Sequence, residues 1–371
     1  MSAAVIEMPH LPPRGLARSA ARRRVDLWLL GCGNVGRALT RMLAARGATI
    51  AAREGVELRV VAITNTKGTC FDSAGIDPDS FGEMAPEAIS FADVVRRLSS
   101  HAHPVLVDLT ASDTGELFLE AAGAGLAIVS ANKVAFVGPH ERYARLCGAA
   151  REGRGIFYET TVGADLPVLA PLADRVRSGD RILRVEGSLS GTLGLLSDAV
   201  SRGTPLDAAV LDAKAQGTTE PDPCEDLSGN DVARKALIIA RELGLQLELS
   251  EIELEGFVSA DVLRDCRERG LEPALALEAP RLSARVRGLA KAGSVLRYLA
   301  TIDPAAARPV RVGLVAVASD HPAASLRGTE AMVTITTERT AGYPLTIRGP
   351  GAGGAVTASG VLADIMRAAR S

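Results

Sequence analysis

Val25-Asp-Leu-Trp-Leu-Leu-Gly-Cys-Gly-Asn-Val-Gly36, continued by Arg37-Ala-Leu-Thr-Arg-Met-Leu-Ala-Ala-Arg-Gly47, reads as a buried strand, a tight turn and a helix. Six mostly apolar residues of strand length run into Gly-x-Gly-x-x-Gly, and the stretch after it carries apolar residues at helical spacing. By itself that glycine spacing is weak in a chain with 37 glycines. Its position between a strand and a helix is the context the motif requires. Glycines let the backbone approach a pyrophosphate, and a helix N-terminus presents amides to it. Gly31, Gly33, Asn34, Val35 and Gly36 are therefore expected to hold a dinucleotide in a doubly wound, Rossmann-type α/β domain.

The units that follow repeat the pattern. A strand over 57–64 ends in Asn65-Thr-Lys67. The acid that would grip a ribose 2′-hydroxyl is missing there, and Lys67 could meet a 2′-phosphate, which favours NADP, with NAD possible. After a helix over 90–99, the strand 104–110 brings Thr110 and Ser112 to a carboxyl end, the side of such a sheet that faces a ligand. A helix over 114–123 and a strand over 127–130 place Lys133 at the next such end, where the bland alternative is a solvated loop lysine. A strand over 156–159 leads into a loop of small residues, 160–167, that suits carbonyl oxygens turned toward a ligand or cation.

A second unit starts at a strand over 181–190. Gly191 opens a helix, Pro205 takes the first helical position of another, and strands at 252–258, 294–302, 310–317, 332–337 and 344–348 suggest a mixed sheet covered by helices. Within this α+β unit lies Glu220-Pro-Asp-Pro-Cys-Glu-Asp-Leu-Ser-Gly-Asn-Asp-Val-Ala-Arg-Lys235. Pro221 and Pro223 stiffen a non-helical run, Ser228 reads as an N-cap, and Asp231 and Lys235 share a helix face that ends at Gly244. An Asp–Lys pair at this spacing is often only a surface pair. Glu220, Asp222, Glu225 and Asp226 just upstream argue for more, because an amino-acid substrate needs carboxylates for its ammonium and a cation for an oxyanion. A Gly-rich loop containing Gly351 precedes a last helix over 355–370, an anion-binding geometry that could return to the dinucleotide domain.

Composition bounds the alternatives. At 371 residues more than one packed unit is expected. A formal charge of −2 gives no hint of nucleic acid, and no apolar run approaches the roughly 18 residues of a membrane helix. Cys32, Cys70, Cys147, Cys224 and Cys266 are scattered without metal or disulfide spacing, which fits a reducing cytoplasm. The Arg- and Pro-rich residues 1–24 read as a disordered extension rather than a targeting segment.

The chain resembles the homoserine dehydrogenases, and specifically the dehydrogenase portion of bifunctional aspartokinase–homoserine dehydrogenases, from about residue 25 onward. The matching residues are Gly31-x-Gly33-x-x-Gly36, Asp108-x-Thr110, Ala131-Asn-Lys133, Tyr158-x-Thr160-x-Val-Gly-Ala164, Gly187-x-Leu-Ser-Gly191, Glu220-Pro-Asp-Pro223, Asp226-Leu-Ser-Gly-x-Asp-Val-Ala-Arg-Lys235 and Arg348-Gly-x-Gly-Ala-Gly353. Two positions depart from the pattern, Thr218 where a tyrosine is usual and Asp165 where a glycine is usual. The resemblance implies NAD(P)-dependent interconversion of L-homoserine and L-aspartate 4-semialdehyde, on the path to threonine and methionine, by a homodimer. It implies a dinucleotide domain over 25–157 completed by 349–371, a dimerisation and catalytic domain over 158–348, and a monovalent cation (Na or K) held by backbone oxygens in the loop of Glu159, Val162, Ala164 and Leu166.

Lys235 is the expected proton donor, Lys133 a second cation at the same oxygen, and Asp231 the anchor of Lys235; Glu220 and Asp226 take the substrate ammonium. Two other classes remain in view. An aspartate-semialdehyde dehydrogenase would need a thiol, for which Cys224 is the candidate, and a dinucleotide sensor would have no use for paired lysines. A short stretch after the Gly-rich loop predicts no separately folded regulatory domain for threonine, which would at most compete weakly with homoserine.

Overall fold

The computed structural model describes residues 22–77 and 89–371, and most of the expected N-terminal extension lies outside them. The first sheet consists of β1 (Arg23–Leu30), β2 (Val56–Asn65), β3 (Gly68–Phe71), β4 (Pro104–Asp108), β5 (Ala127–Ser130) and β6 (Ile156–Phe157). Their spatial order is β3-β2-β1-β4-β5-β6, parallel throughout except for the β2–β3 hairpin. Helices cover both faces, so β1 from Val25 onward and the whole of β4 are unbroken buried runs rather than alternating ones. Connections on either side of β1 run in opposite directions, which opens a crevice between the carboxyl ends of β1 and β4.

Two boundaries differ from expectation in this half. Arg23 and Arg24 already belong to β1, and the Arg23 guanidinium reaches the Ala369 carbonyl, which gives the strand two more residues. The helix after the turn runs Asn34–Glu54, through Gly47, and stops at Gly55 with φ 68. Gly47 meets no steric demand, while the left-handed position at Gly55 ends the helix.

The second sheet is built from β7 (Ile182–Ser188), β8 (Glu253–Leu254), β9 (Ser294–Ile302), β10 (Val310–Ala318), β11 (Glu330–Thr337) and β12 (Leu345–Pro350). Its order is β12-β11-β7-β9-β10-β8, antiparallel apart from β8 against β10. Leu296, Tyr298, Ala300 and Ile302 of β9 face the helices, and Arg297 and Leu299 face the opposite side under the segment Pro322–Ser325. The strand expected over 252–258 shrinks to two residues. Phe257 there turns inward, and its amide donates to the Leu227 carbonyl at 2.8 Å instead of extending a ladder.

The last helix, Gly354–Ala368, returns to the first half. Ala358, Val361, Ile365 and Ala368 join the core formed by Leu27, Leu29, Leu39 and Val105. Burial of Val361 and Ile365 contributes about 1.5–3 kcal/mol each. Gly360 allows the close approach, because a Cβ there would lie 2.5 Å from the Ala164 carbonyl oxygen.

Candidate functional site at the junction of the two sheets

The acidic block folds differently from its expected extended form. Pro223 is the first residue of a short helix, Pro223–Leu227, whose N-cap Asp222 accepts from the Cys224 amide at 3.0 Å. Proline fits there because the first helical amide needs no partner. Gly229, at φ 75, then turns the chain into the helix Asn230–Glu242, two residues later than expected, and the Ser228 hydroxyl accepts from the Asn230 amide at 3.2 Å. Only glycine fits the turn, since a Cβ would fall 1.9 Å from the Tyr298 hydroxyl. Pro205, expected inside its helix, likewise stands one position earlier, as the cap of Leu206–Ala215.

This turn aims the first helical turn at β5. Asp231 Oδ2 lies 2.8 Å from Lys235 Nζ, and Asp231 Oδ1 lies 3.2 Å from Lys133 Nζ. Lys235 also donates to the Leu189 carbonyl, at the end of β7, at 2.7 Å. An ammonium has three N–H donors, so Lys235 keeps one for a ligand. One carboxylate thus joins lysines from both halves of the molecule. The Asp231 side chain is 46% exposed. Burial pushes its carboxyl group up, and Lys235 and Lys133 together outweigh that, holding it well below the usual carboxylate range.

The other acids are arranged unequally. Asp226 Oδ2 accepts from the Glu220 amide at 2.8 Å, and Thr192, whose hydroxyl donates to the Thr218 carbonyl at 2.7 Å, closes the same corner. Burial raises the Asp226 carboxyl group, and the charges of Glu220 and Asp231 add to the rise against the hydrogen bonds it accepts. Glu220 is exposed. Cys224 is buried, and its thiol is pushed up to about 12 by burial, reinforced by Cys266 and Asp222. It is no thiolate nucleophile at neutral pH.

Lys133 is placed by a network that local sequence reading did not single out. Asp108, fully buried, accepts from the Thr110 amide and hydroxyl at 2.9 and 2.7 Å and from the Thr114 hydroxyl at 2.7 Å. Asn132 joins it, donating to Asp108 Oδ2 at 2.9 Å and to the Ser112 carbonyl at 2.6 Å. Both residues sit inside the quoted motifs, yet nothing local tells that their side chains point down rather than toward a ligand. Leu189 lies within the quoted Gly187-x-Leu-Ser-Gly191, yet nothing local marks its carbonyl as a partner of Lys235.

In the crevice, Gly31 has φ 88, and a Cβ on it would meet the Leu109 carbonyl oxygen at 3.1 Å; one on Gly36 would meet the Gly31 oxygen at 2.9 Å. Gly33 has no such neighbour, so its missing side chain leaves open space at the N-terminus of Asn34–Glu54. Lys67 is exposed at the tip of the β2–β3 hairpin, beside the strand end whose Thr64 carbonyl accepts from Gly31 at 2.8 Å. The Gly-rich tail loop reaches this region: a Cβ on Gly351 would collide with Ala331 at 2.6 Å, and one on Gly354 would touch the Asn34 backbone at 3.4 Å.

Around the loop expected to bind a cation, the Glu159 carboxylate accepts from the amides of Val168, Leu169 and Ala170 and so caps the helix Leu169–Arg177. Its main-chain oxygen accepts from the Val162 amide at 3.4 Å. Ala164 has φ 55, the one non-glycine residue with positive φ among those described, two residues after Val162 and two before Leu166. Among the described residues no cluster of three or more acidic, histidine or cysteine side chains forms a metal site. A separate cavity of about 760 Å³ opens around Tyr158, Glu242 and Arg177, away from the lysine pair.

Two family models cover these parts. The homoserine dehydrogenase NAD-binding domain matches residues 31–159, and the homoserine dehydrogenase model matches residues 167–366. The chain belongs to the homoserine dehydrogenase family. A chloroplastic bifunctional aspartokinase/homoserine dehydrogenase 2 of Zea mays is 37% identical over 350 residues, 92% of this chain and 38% of the maize protein. The chain thus spans well under half the length of such bifunctional members. A homoserine dehydrogenase of Emericella nidulans is 36% identical over 66% of this chain and 69% of its own length. Among solved structures, a Candida auris protein of unknown function superposes with a TM-score of 0.83 at 29% identity, over 94% of this chain and 99% of that one. A hyperthermophilic archaeal homoserine dehydrogenase in complex with NADPH gives 0.71 at 26% identity, over 93% and 97%.

Proposed function

We propose that the chain is an NADP-dependent dehydrogenase that interconverts L-homoserine and L-aspartate 4-semialdehyde, with NAD as a possible substitute. The observation that carries the reading is Asp231 bridging Lys133 and Lys235 at the mouth of the crevice. The cofactor, when bound, supplies the hydride chemistry. Gly33 fits it, since that residue leaves open space where a pyrophosphate would lie against the helix amides.

The chain's own contribution is electrostatic. Lys235 spends two donors on Asp231 and Leu189 and offers the third to the substrate's terminal oxygen, as an acid toward the developing alkoxide and as a base in the reverse direction. Lys133 adds a second positive charge at the same oxygen. Asp231 orients both. Asp226 and Glu220 bind the substrate ammonium, and Asp226 ionises more readily once that cation arrives. Thr110, Ser112, Asn34, Val35 and Gly351 line the cofactor side, and Lys67 meets a 2′-phosphate.

The same reading takes residues 25–157 with 349–371 as the dinucleotide domain and residues 158–348 as the dimerisation and catalytic domain of a cytoplasmic homodimer. A monovalent cation, Na or K, would bind main-chain oxygens of Glu159, Val162, Ala164 and Leu166; the left-handed Ala164 and the committed Glu159 carboxylate support that choice of donor. The test is absorbance at 340 nm with NADP⁺ and L-homoserine beside L-serine, L-threonine and 4-hydroxybutyrate. Turnover confined to homoserine supports the reading, and a preference for 4-hydroxybutyrate would overturn the role of the acids.

A further inference from the structure

Asp108 presents a physical puzzle. It is fully buried at the carboxyl end of β4 and accepts four hydrogen bonds, all from neutral donors: the Thr110 amide, the Thr110 hydroxyl, the Thr114 hydroxyl and the Asn132 amide. A buried carboxylate without a cationic partner is costly, and an apolar residue would hold a strand end more cheaply. Such an arrangement is explained when the geometry it imposes is needed for something other than folding.

The donors show what is being fixed. Thr110 and Thr114 belong to the loop after β4, and Asn132 to the loop after β5, the two carboxyl ends beside the nucleotide crevice. Asn132, 3% exposed, uses every polar atom of its side chain. Its Nδ2 donates to Asp108 Oδ2 at 2.9 Å and to the Ser112 carbonyl at 2.6 Å, and its Oδ1 accepts from the Val134 amide at 2.9 Å. Its own amide donates to the Ser130 hydroxyl at 3.0 Å, and the Ala131 amide donates to the Asp108 carbonyl at 3.0 Å. Lys133 is therefore held on both sides, by the Asn132 backbone before it and by the Val134 amide after it. Among the described residues its ammonium has one ion-pair partner, Asp231 on the other half of the molecule.

We propose that Asn132, clamped by the buried carboxylate of Asp108, is a positioning residue of the reaction: through one side chain it locks the β4 loop that carries Thr110 and Ser112 to the β5 loop that carries Lys133. The cofactor-binding loop and the second cation are thereby set at one fixed separation. Asn132 touches neither substrate nor cofactor and acts through Lys133 and Ser112. This rests on the reading of Lys133 as a group at the reacting oxygen.

A double-mutant cycle tests it on the full-length protein, with two readouts at a temperature well below unfolding. Asn132→Ala should lower homoserine turnover roughly 10- to 100-fold through misplacement of Lys133. It should weaken NADPH, followed by its fluorescence, roughly tenfold, the scale of one lost buried hydrogen bond. The decisive quantity is coupling. If Asn132 acts through Lys133, the Asn132→Ala/Lys133→Ala protein turns over within about twofold of Lys133→Ala alone. A purely structural asparagine would lower the melting temperature and leave turnover per folded molecule unchanged, and one acting independently of Lys133 would add its loss in full to that of Lys133→Ala; either result overturns the proposal. Should Asn132→Ala fail to fold, Thr114→Val removes one donor to the same Asp108 oxygen and is expected to give a smaller loss, again absent in the Lys133→Ala background. A wild-type protein that binds NADPH but ignores homoserine would refute the functional reading, and the same cycle run on NADPH affinity would still judge the positioning role.

Discussion

Asp108 and Asp231 lie on either side of Lys133 in the chain's network and are held in opposite ways. Asp108 is sealed from solvent and satisfied by neutral donors alone, whereas the half-exposed Asp231 lies between two ammonium groups. The first arrangement fixes position, through four hydrogen bonds to one side chain. The second fixes charge: with its carboxyl held far down by Lys235 and Lys133, Asp231 stays ionised, and its stabilising contribution is present above the unfolded carboxylate pKa and lost only as pH falls through the depressed folded value. A site assembled from two sheets needs both devices, one for each half of the geometry.

The largest effect that should break this contrast is on the charged side. Lys235→Ala is expected to lose roughly 10²–10⁴-fold in turnover with NADPH affinity little changed, because only the donor to the reacting oxygen is gone. Near wild-type turnover would remove Lys235 from the chemistry. Next, Asp226→Asn should raise the KM for homoserine, by roughly tenfold for one lost charge-assisted contact. The sign with pH follows from the raised Asp226 carboxyl group: the ionised form binds the substrate ammonium, so KM rises as pH falls through that raised value, earlier than for an ordinary aspartate. For stability the sign is reversed, since a raised carboxyl pKa favours folding below the unfolded value and that gain is lost as pH rises through the folded one. An acid limb of KM that survives in Asp226→Asn would assign it elsewhere.

A smaller change is expected at the crevice. Lys67→Glu should weaken NADPH more than NADH, and equal weakening of the two would remove Lys67 from the discrimination. The smallest is at Cys224, where Cys224→Ser should leave turnover within about twofold, because a buried thiol pushed up to about 12 supplies no nucleophile. Loss of activity with the fold intact would revive a thiol mechanism.

Much of this was legible in the sequence where structure is set locally. The strand, glycine turn and helix at Val25 onward need only neighbouring residues, and the Asp231–Lys235 pair follows from helical spacing. Errors arose where packing decides. The helix quoted as far as Gly47 runs on to the left-handed Gly55, and the strand expected over 252–258 gives way where Phe257 is drawn inward. The cap at Ser228 and the extended run through Pro223 missed a turn made possible by Gly229 beneath Tyr298, a contact between positions 69 apart in sequence. Leu189 as a partner of Lys235 and the downward orientation of Asn132 were invisible for the same reason.

The proposed function depends most on two lysines from different halves of the molecule acting on one oxygen through a shared carboxylate. The direct measurement is single-turnover NADPH oxidation with L-aspartate 4-semialdehyde by the wild type, Lys133→Ala, Lys235→Ala and the double variant. The account predicts that both single variants are slow and that the double variant loses much less than the product of the two losses, because removal of either lysine already disorganises the pair around Asp231. Independent, fully multiplicative losses, or a Lys133→Ala protein as fast as wild type, would contradict it.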